Sequence, residues 1–180
     1  MRAAASILLM GLYLLCNAAQ AQESASPCVL VFGHGRNFEP DQPQRNQLWD
    51  GFNLSFNQQV ALALQAGGRR AVPLVLPVEA TDIQRNQRLL LAQAVSSGCN
   101  QILETSVFSD PEALMLVARL RIYPLLGSKG PRLAGSLPTI GVANYTNQRD
   151  FALTPRVLGR FQPGPLGQLM GQEALEQLGP

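Results

Sequence analysis

QLWDGFNLSFNQQVALALQAGGRRAVPLVL, residues 47–76, changes its apolar period at Gly67-Gly68, and that change sets the fold. From Gln47 to Ala66, Trp49, Phe52, Phe56, Val60, Ala63 and Leu64 recur at three- and four-residue steps, one stripe of an amphipathic helix. The glycine pair closes it, as glycine commonly does just past a helix end. Ala71 to Leu76 is then a short apolar run of strand length. Pro73 lies inside that run and has no N–H to give a ladder, so this strand belongs at a sheet edge.

Working outward, Cys28-Val-Leu-Val-Phe32 reads as a buried strand ended by Gly33-His34-Gly35. Residues 36–46 are polar with two prolines and read as a surface loop. Thr81 to Ser97 reads as a second helix, capped by Thr81 or Asp82 and ended by Gly98. Gln101 to Phe108 is a third strand. Asp110-Pro111 marks a tight turn, after which Leu114 to Tyr123 alternates. Leu114, Leu116, Ala118, Leu120 and Ile122 fall on one face; Met115, Val117, Arg119, Arg121 and Tyr123 fall on the other, which makes a half-buried strand hairpinned on its predecessor. Residues 127–131 read as a loop, Pro138 to Tyr145 as a fifth strand, 154–165 as a connector and Leu166 to Leu178 as a last helix. The order is β-α-β-α-β-β-β-α. Helical crossovers force the first three strands to be parallel, and the rest add as an antiparallel meander. The expected fold is one α/β domain over residues 28–180, a mixed sheet of about five strands with helices packed on it.

Residues 1–21 read as a cleavable secretory signal: Arg2, an apolar stretch from Ile7 to Cys16, and Ala19-Gln20-Ala21 before a cut between Ala21 and Gln22. The apolar stretch is too short for a stable membrane-spanning helix, which takes about 20 residues. Lipid attachment at Cys16 wants a small residue before the cysteine, and Leu14-Leu15 stand there. Residues 22–27 read as a flexible mature terminus. The expected address is the periplasm or the exterior, with no transmembrane segment after cleavage. The net charge of +2 comes without a basic run, and Lys129 is the single lysine, so no nucleic acid is expected as partner.

Cleavage removes Cys16 and leaves Cys28 and Cys99, an even pair in an oxidising compartment. If the first strand lies between the second and third, both cysteines sit at the amino-terminal edge of neighbouring strands, within disulfide range.

Ligands of open α/β sheets bind beyond the carboxyl ends of the strands. His34, Glu79 and Asp110 follow the first three strands there, a candidate ligand, metal or acid–base site. The chain's single histidine without a motif reads more readily as a turn residue. Gly33-His34-Gly35 lacks the further glycines and the immediate helix of a phosphate-binding loop. Ser96, Ser97 and Cys99 lie at the opposite end of the sheet from His34, so no nucleophile–base pair forms. No catalytic residue, cofactor site or metal site is assigned. Trp49, Phe52 and Phe56 read as core, and Arg119 and Arg121 as a solvated or docking face. The sequons Asn53-Leu-Ser55 and Asn144-Tyr-Thr146 read as chance matches.

Several features together resemble a group of small envelope domains. They are Cys28 to Phe32, the helix Leu48 to Leu64 with its Gly-Gly turn, Gly98-Cys-Asn-Gln-Ile-Leu103, and the long strand Leu114 to Tyr123. The group comprises the amino-terminal domain of TolB and the periplasmic domains of CsgG-like and penicillin-binding-protein-activator lipoproteins. The resemblance covers most of residues 28–178 and implies a non-enzymatic adaptor that binds another envelope protein. The alternative is a small exported enzyme or ligand-binding protein using His34 and the carboxylates.

Overall fold

The computed structural model describes residues 27–127 and 137–178. The expected export signal, residues 22–26 and residues 128–131 of the expected loop lie outside the described residues. β1 (Cys28–His34) has parallel neighbours on both sides, β2 (Arg70–Leu76) and β3 (Gln101–Asp110). β4 (Met115–Leu126) turns back antiparallel on β3. The far edge of β4 is shared by β6 (Tyr145–Ala152), along most of its length, and the two-residue β5 (Thr139–Ile140) at its end. Four helices complete a single mixed-sheet α/β domain: α1 (Pro43–Ala66), α2 (Ile83–Ser96), α3 (Pro155–Leu158) and α4 (Pro163–Leu175).

The sheet separates two cores. Val29 and Val31 of β1, Leu103 and Val107 of β3, and Leu116, Leu120 and Ile122 of β4 pack on one side with α1 and α4. Leu30 and Ile102 point the other way, against Leu90, Leu91 and Ala94 of α2. Burial on both faces is why β1 reads as an unbroken apolar run. The β4 alternation appears as expected, except that Leu114 belongs to the β3–β4 turn. It has φ of +52° and is 67% exposed, because the four-residue connection needs a left-handed residue at its end.

The cysteines meet through helix-end chemistry. At the end of α2, Gly98 takes φ of +65°; its N–H bonds to the Val95 carbonyl, and the Cys99 N–H bonds to the Ala94 carbonyl at 2.8 Å. This turn aims the chain straight into β3. It sets Cys99 beside Cys28 with Cα atoms 4.3 Å apart and the sulfurs at bonding distance. Gly68, with φ of +81°, ends α1 in the same way.

β3 runs past its parallel neighbour. The last β1–β3 pair is Gly33 with Thr105, yet β3 continues to Asp110. The main-chain groups of Val107 and Ser109 that face β1's side are met by side chains instead. The Asn53 carboxamide accepts from the Val107 N–H at 2.8 Å and donates to its carbonyl at 2.9 Å. Asn37 does the same for Ser109, at 2.8 and 3.1 Å. Asn57, fully buried, donates to the Val31 carbonyl and the Thr105 hydroxyl. α1 also begins at Pro43, earlier than the expected Gln47. Pro43 takes the first helical position, and Asn46 fixes the entry by bonding both main-chain groups of Glu39.

The expected last helix appears as α4, starting at Pro163, and most of its buried residues are small. Its buried face is Gly164, Gly167, Met170, Gly171 and Ala174, while Leu169 is 50% exposed. A Cβ on Gly167 would stand 2.5 Å from the Phe56 carbonyl oxygen, so the two helices touch backbone to backbone. The expected strand 138–145 breaks at Gly141, whose N–H bonds to the Pro124 carbonyl at 2.9 Å and whose Cα faces the Pro124 ring. The true edge strand β6 is polar, because its inward Asn147 and Arg149 bond Glu173 of α4.

Two substitutions test this account by denaturant unfolding. Asn53→Ala strands the Val107 N–H and carbonyl and is expected to cost about 3 kcal/mol. Gly167→Ala forces α4 off α1 and is expected to cost about 2 kcal/mol. Changes below a few tenths of a kcal/mol would contradict both contacts.

Candidate functional site

The carboxyl edge of the sheet does not assemble the expected trio. His34 donates from Nε2 to the Ala80 carbonyl at 2.9 Å, Asp110 accepts from the Ala113 N–H to hold the β3–β4 turn, and Glu79 is exposed. Among the described residues, no group of three or more His, Cys, Asp or Glu is placed to hold a metal. Val78 and the carboxamides of Asn53 and Asn57 crowd the two glycines that flank His34. A Cβ on Gly35 would lie 2.1 Å from Val78, and one on Gly33 would lie 3.1 Å from Asn57 Nδ2. The glycines flanking His34 therefore make room for packing.

The polar groups that do converge lie one layer away, on the α2 side. α2 starts at Asp82, whose carboxylate accepts from the Arg85 N–H at 2.9 Å. Its first turns stand off the sheet and leave a groove of about 330 Å³. Phe32, Ile102 and Glu104 form the floor, Ile83 and Leu90 one wall, Tyr123 and Ile140 the other. This volume lies at the low end of the range for small-molecule or side-chain pockets. His34 and Asn86 both donate to the Ala80 carbonyl at its mouth.

Cross-strand register builds the polar end of the groove. Glu104 is the direct partner of Arg121, and the two side chains share a face. Arg121 binds Glu104 Oε2 through Nε at 2.8 Å and through Nη2 at 2.6 Å. The Tyr123 hydroxyl donates to the same oxygen at 3.0 Å. Arg36, from the segment after β1, approaches Oε1 at 3.8 Å. Burial raises the Tyr123 hydroxyl above its usual 10.0, and the Glu104 charge and hydrogen bond add to the rise. Burial lowers the Arg119 guanidinium, helped by the positive charges of Arg36 and Arg121.

Arg119 and Arg121 are legible in the sequence on one face of β4, and Glu104 is not. Its signal is a lone carboxylate within the apolar run 101–108, facing an arginine once the hairpin register is set. Trp49 and Phe56 are core, while Phe52 is partly buried against Phe161 at a ring-centre distance of 5.3 Å. A second, more open depression of about 560 Å³ lies between α3 and α4, but apolar side chains line most of it and the Arg156 and Arg160 side chains at its rim are exposed. No protein-family profile matches this chain, and no curated protein sequence matches it either.

The sign of the Tyr123 shift fixes an alkaline test. A pKa raised on folding stabilises the fold below the unfolded value of 10.0, and that stabilisation is lost as pH rises through the folded value. Phenolate absorbance should show a component titrating above 10.0 that vanishes in Tyr123→Phe, with a shallower alkaline loss of stability. If the component lost in Tyr123→Phe titrates at or below 10.0, the buried, Glu104-bonded hydroxyl is ruled out.

Proposed function

We propose that this chain is an exported, non-enzymatic interaction module of the bacterial envelope, which holds a segment of a partner protein in the groove beside α2. The observation that carries this reading is the groove itself: Phe32, Ile83, Leu90, Ile102 and Ile140 give it apolar surface, and the Glu104–Arg121–Tyr123 network sets polar groups among them. Its charged groups bond one another, which suits orientation of a bound segment more than proton transfer to a reacting one. Exposed Ile83, at 79%, extends the apolar wall onto the surface of α2. The Cys28–Cys99 disulfide supports an oxidising address, as does the signal-like run 1–21. Kinship with the TolB-like and CsgG-like envelope domains belongs to the same proposal. It rests on the order of elements and on Cys28 to Phe32 and Gly98 to Leu103.

A second reading, a carrier of a small ligand in the same groove, is favoured by one observation: His34 lines the groove together with Glu104 and Arg121. One experiment separates the two. A photo-crosslinking residue at Gln87, on the groove wall, is expected to capture one discrete protein in intact envelopes, and Ile83→Asp should abolish capture. The same residue at exposed Gln168 of α4 should capture nothing. Equal patterns from Gln87 and Gln168, with a small molecule on the native protein by mass spectrometry, would replace the first reading with the second.

A further inference from the structure

Beside the groove, β3 and β4 present a second cluster, which shares Glu104 and Arg121 with it and adds Ser106, Phe108 and Arg119. Ser106 and Arg119 are register partners and share a face with Phe108 and Arg121. The Arg36 and Arg119 guanidinium carbons stand 5.0 and 5.1 Å from the centre of the Phe108 ring. Glu104 pairs with Arg121 at 2.6 Å and, at a long 3.8 Å, with Arg36. Among the described residues no carboxylate forms an ion pair with Arg119. Arg36 and Arg121 thus flank Glu104 while Arg119 stacks on Phe108 beside them, so guanidiniums outnumber the carboxylate they pair with.

Arg119 Nε and Nη2 are shut from water and have no hydrogen-bond partner, and the same holds for the Ser106 hydroxyl. Buried polar atoms are ordinarily paired, so three unpaired ones at adjacent register positions call for an explanation. Nε and Nη2 form one edge of the guanidinium, with two parallel N–H bonds that match two oxygens of an oxyanion. Arg36 stacks on the same Phe108 ring, with its side chain 43% exposed and its ion pair to Glu104 long.

We propose that Arg119, with Arg36, Arg121 and the Ser106 hydroxyl, forms a binding site for a phosphate group. A phosphate monoester carries a charge of about −1.5 to −2 near pH 7, which matches the excess positive charge better than a carboxylate does. Arg119 meets two phosphate oxygens side-on, and Arg36 closes over the third. Neither Arg119 nor Ser106 lines the groove, so the site stands or falls apart from the partner-segment reading. Arg121 belongs to both, so a phosphate borne on an alkyl chain would lay that chain among Phe32, Ile102 and Tyr123.

Isothermal titration of the disulfide-bonded protein with inorganic phosphate, at constant ionic strength against chloride, tests the proposal. Saturable binding is expected, weakened at least about tenfold in Arg119→Gln by loss of the bidentate contact, and unchanged in Arg156→Gln on α3. If Arg119→Gln does not fold, Arg36→Gln on the exposed segment is expected to weaken binding severalfold. Absence of saturable binding in the parent protein would overturn the site. So would equal affinity in the cluster variant and in Arg156→Gln. A short alkyl phosphate compared with inorganic phosphate identifies the source: much tighter binding marks a lipid-like headgroup, and equal binding marks the free anion.

Discussion

Val107 and Ser109 lie where β3 has outrun β1, and their main-chain groups face a place no strand occupies. A buried peptide group without a partner costs about as much as a lost hydrogen bond, and here two residues are involved. The carboxamide has the same donor and acceptor as a peptide unit, so Asn53 and Asn37 stand in for the missing strand. Much else follows from that substitution. α1 must pass close enough for Asn53 and Asn57 to reach the sheet, which makes even a Cβ at Gly33 a tight fit. α1 in turn offers Phe56, Val60 and Ala63 to the glycine face of α4, so the C-terminal helix docks on a helix already fixed by asparagines. The polar groups at this end of the sheet collect on the α2 side, where His34, Glu104, Arg121 and Tyr123 line one groove.

Element order and pairing from β1 to β4 were legible in the sequence, because strongly periodic or unbroken apolar segments record burial directly. Residues 28–32, 47–66 and 115–123 carry that record, and so does the pairing of Cys28 with Cys99. What escaped was structure stabilised by polar or small groups. Asn46, Asn53 and Asn57 sit on the buried side of α1 and look, by residue type, like its solvent side. The glycines of α4 look like helix weakeners until α1 is placed against them. β6 looks like a loop because its inward residues answer Glu173 across the layer instead of entering an apolar core. The candidate site was half legible. The parity of β4 put Arg119 and Arg121 on one face, but their counter-charge needed the β3–β4 register.

The groove and the arginine cluster share one electrostatic logic. Glu104 is the sole carboxylate in the network, and Arg121 and Tyr123 bind a single one of its oxygens. Arg36 and Arg119 are steadied by the face of Phe108. Aromatic rings and one acid thus hold three cations in a small area at the border of an apolar channel. In the proposed phosphate site, a bound molecule would lie with its charged end toward Arg119 and its apolar part toward α2.

Asn53 has one more consequence, at the level of biosynthesis. It heads the sequence Asn53-Leu54-Ser55, is 1% exposed, and uses its carboxamide to close the sheet, whereas Asn144 of the other such sequence is exposed. Where glycans are attached to such sequences during translocation, the transferase meets the chain before α1 has folded. A sugar placed on Asn53 then could neither be buried nor leave its nitrogen free for Val107. In a eukaryotic secretory route, molecules modified at Asn53 would be barred from the native state, and yield would depend on a race between the transferase and the folding of one helix.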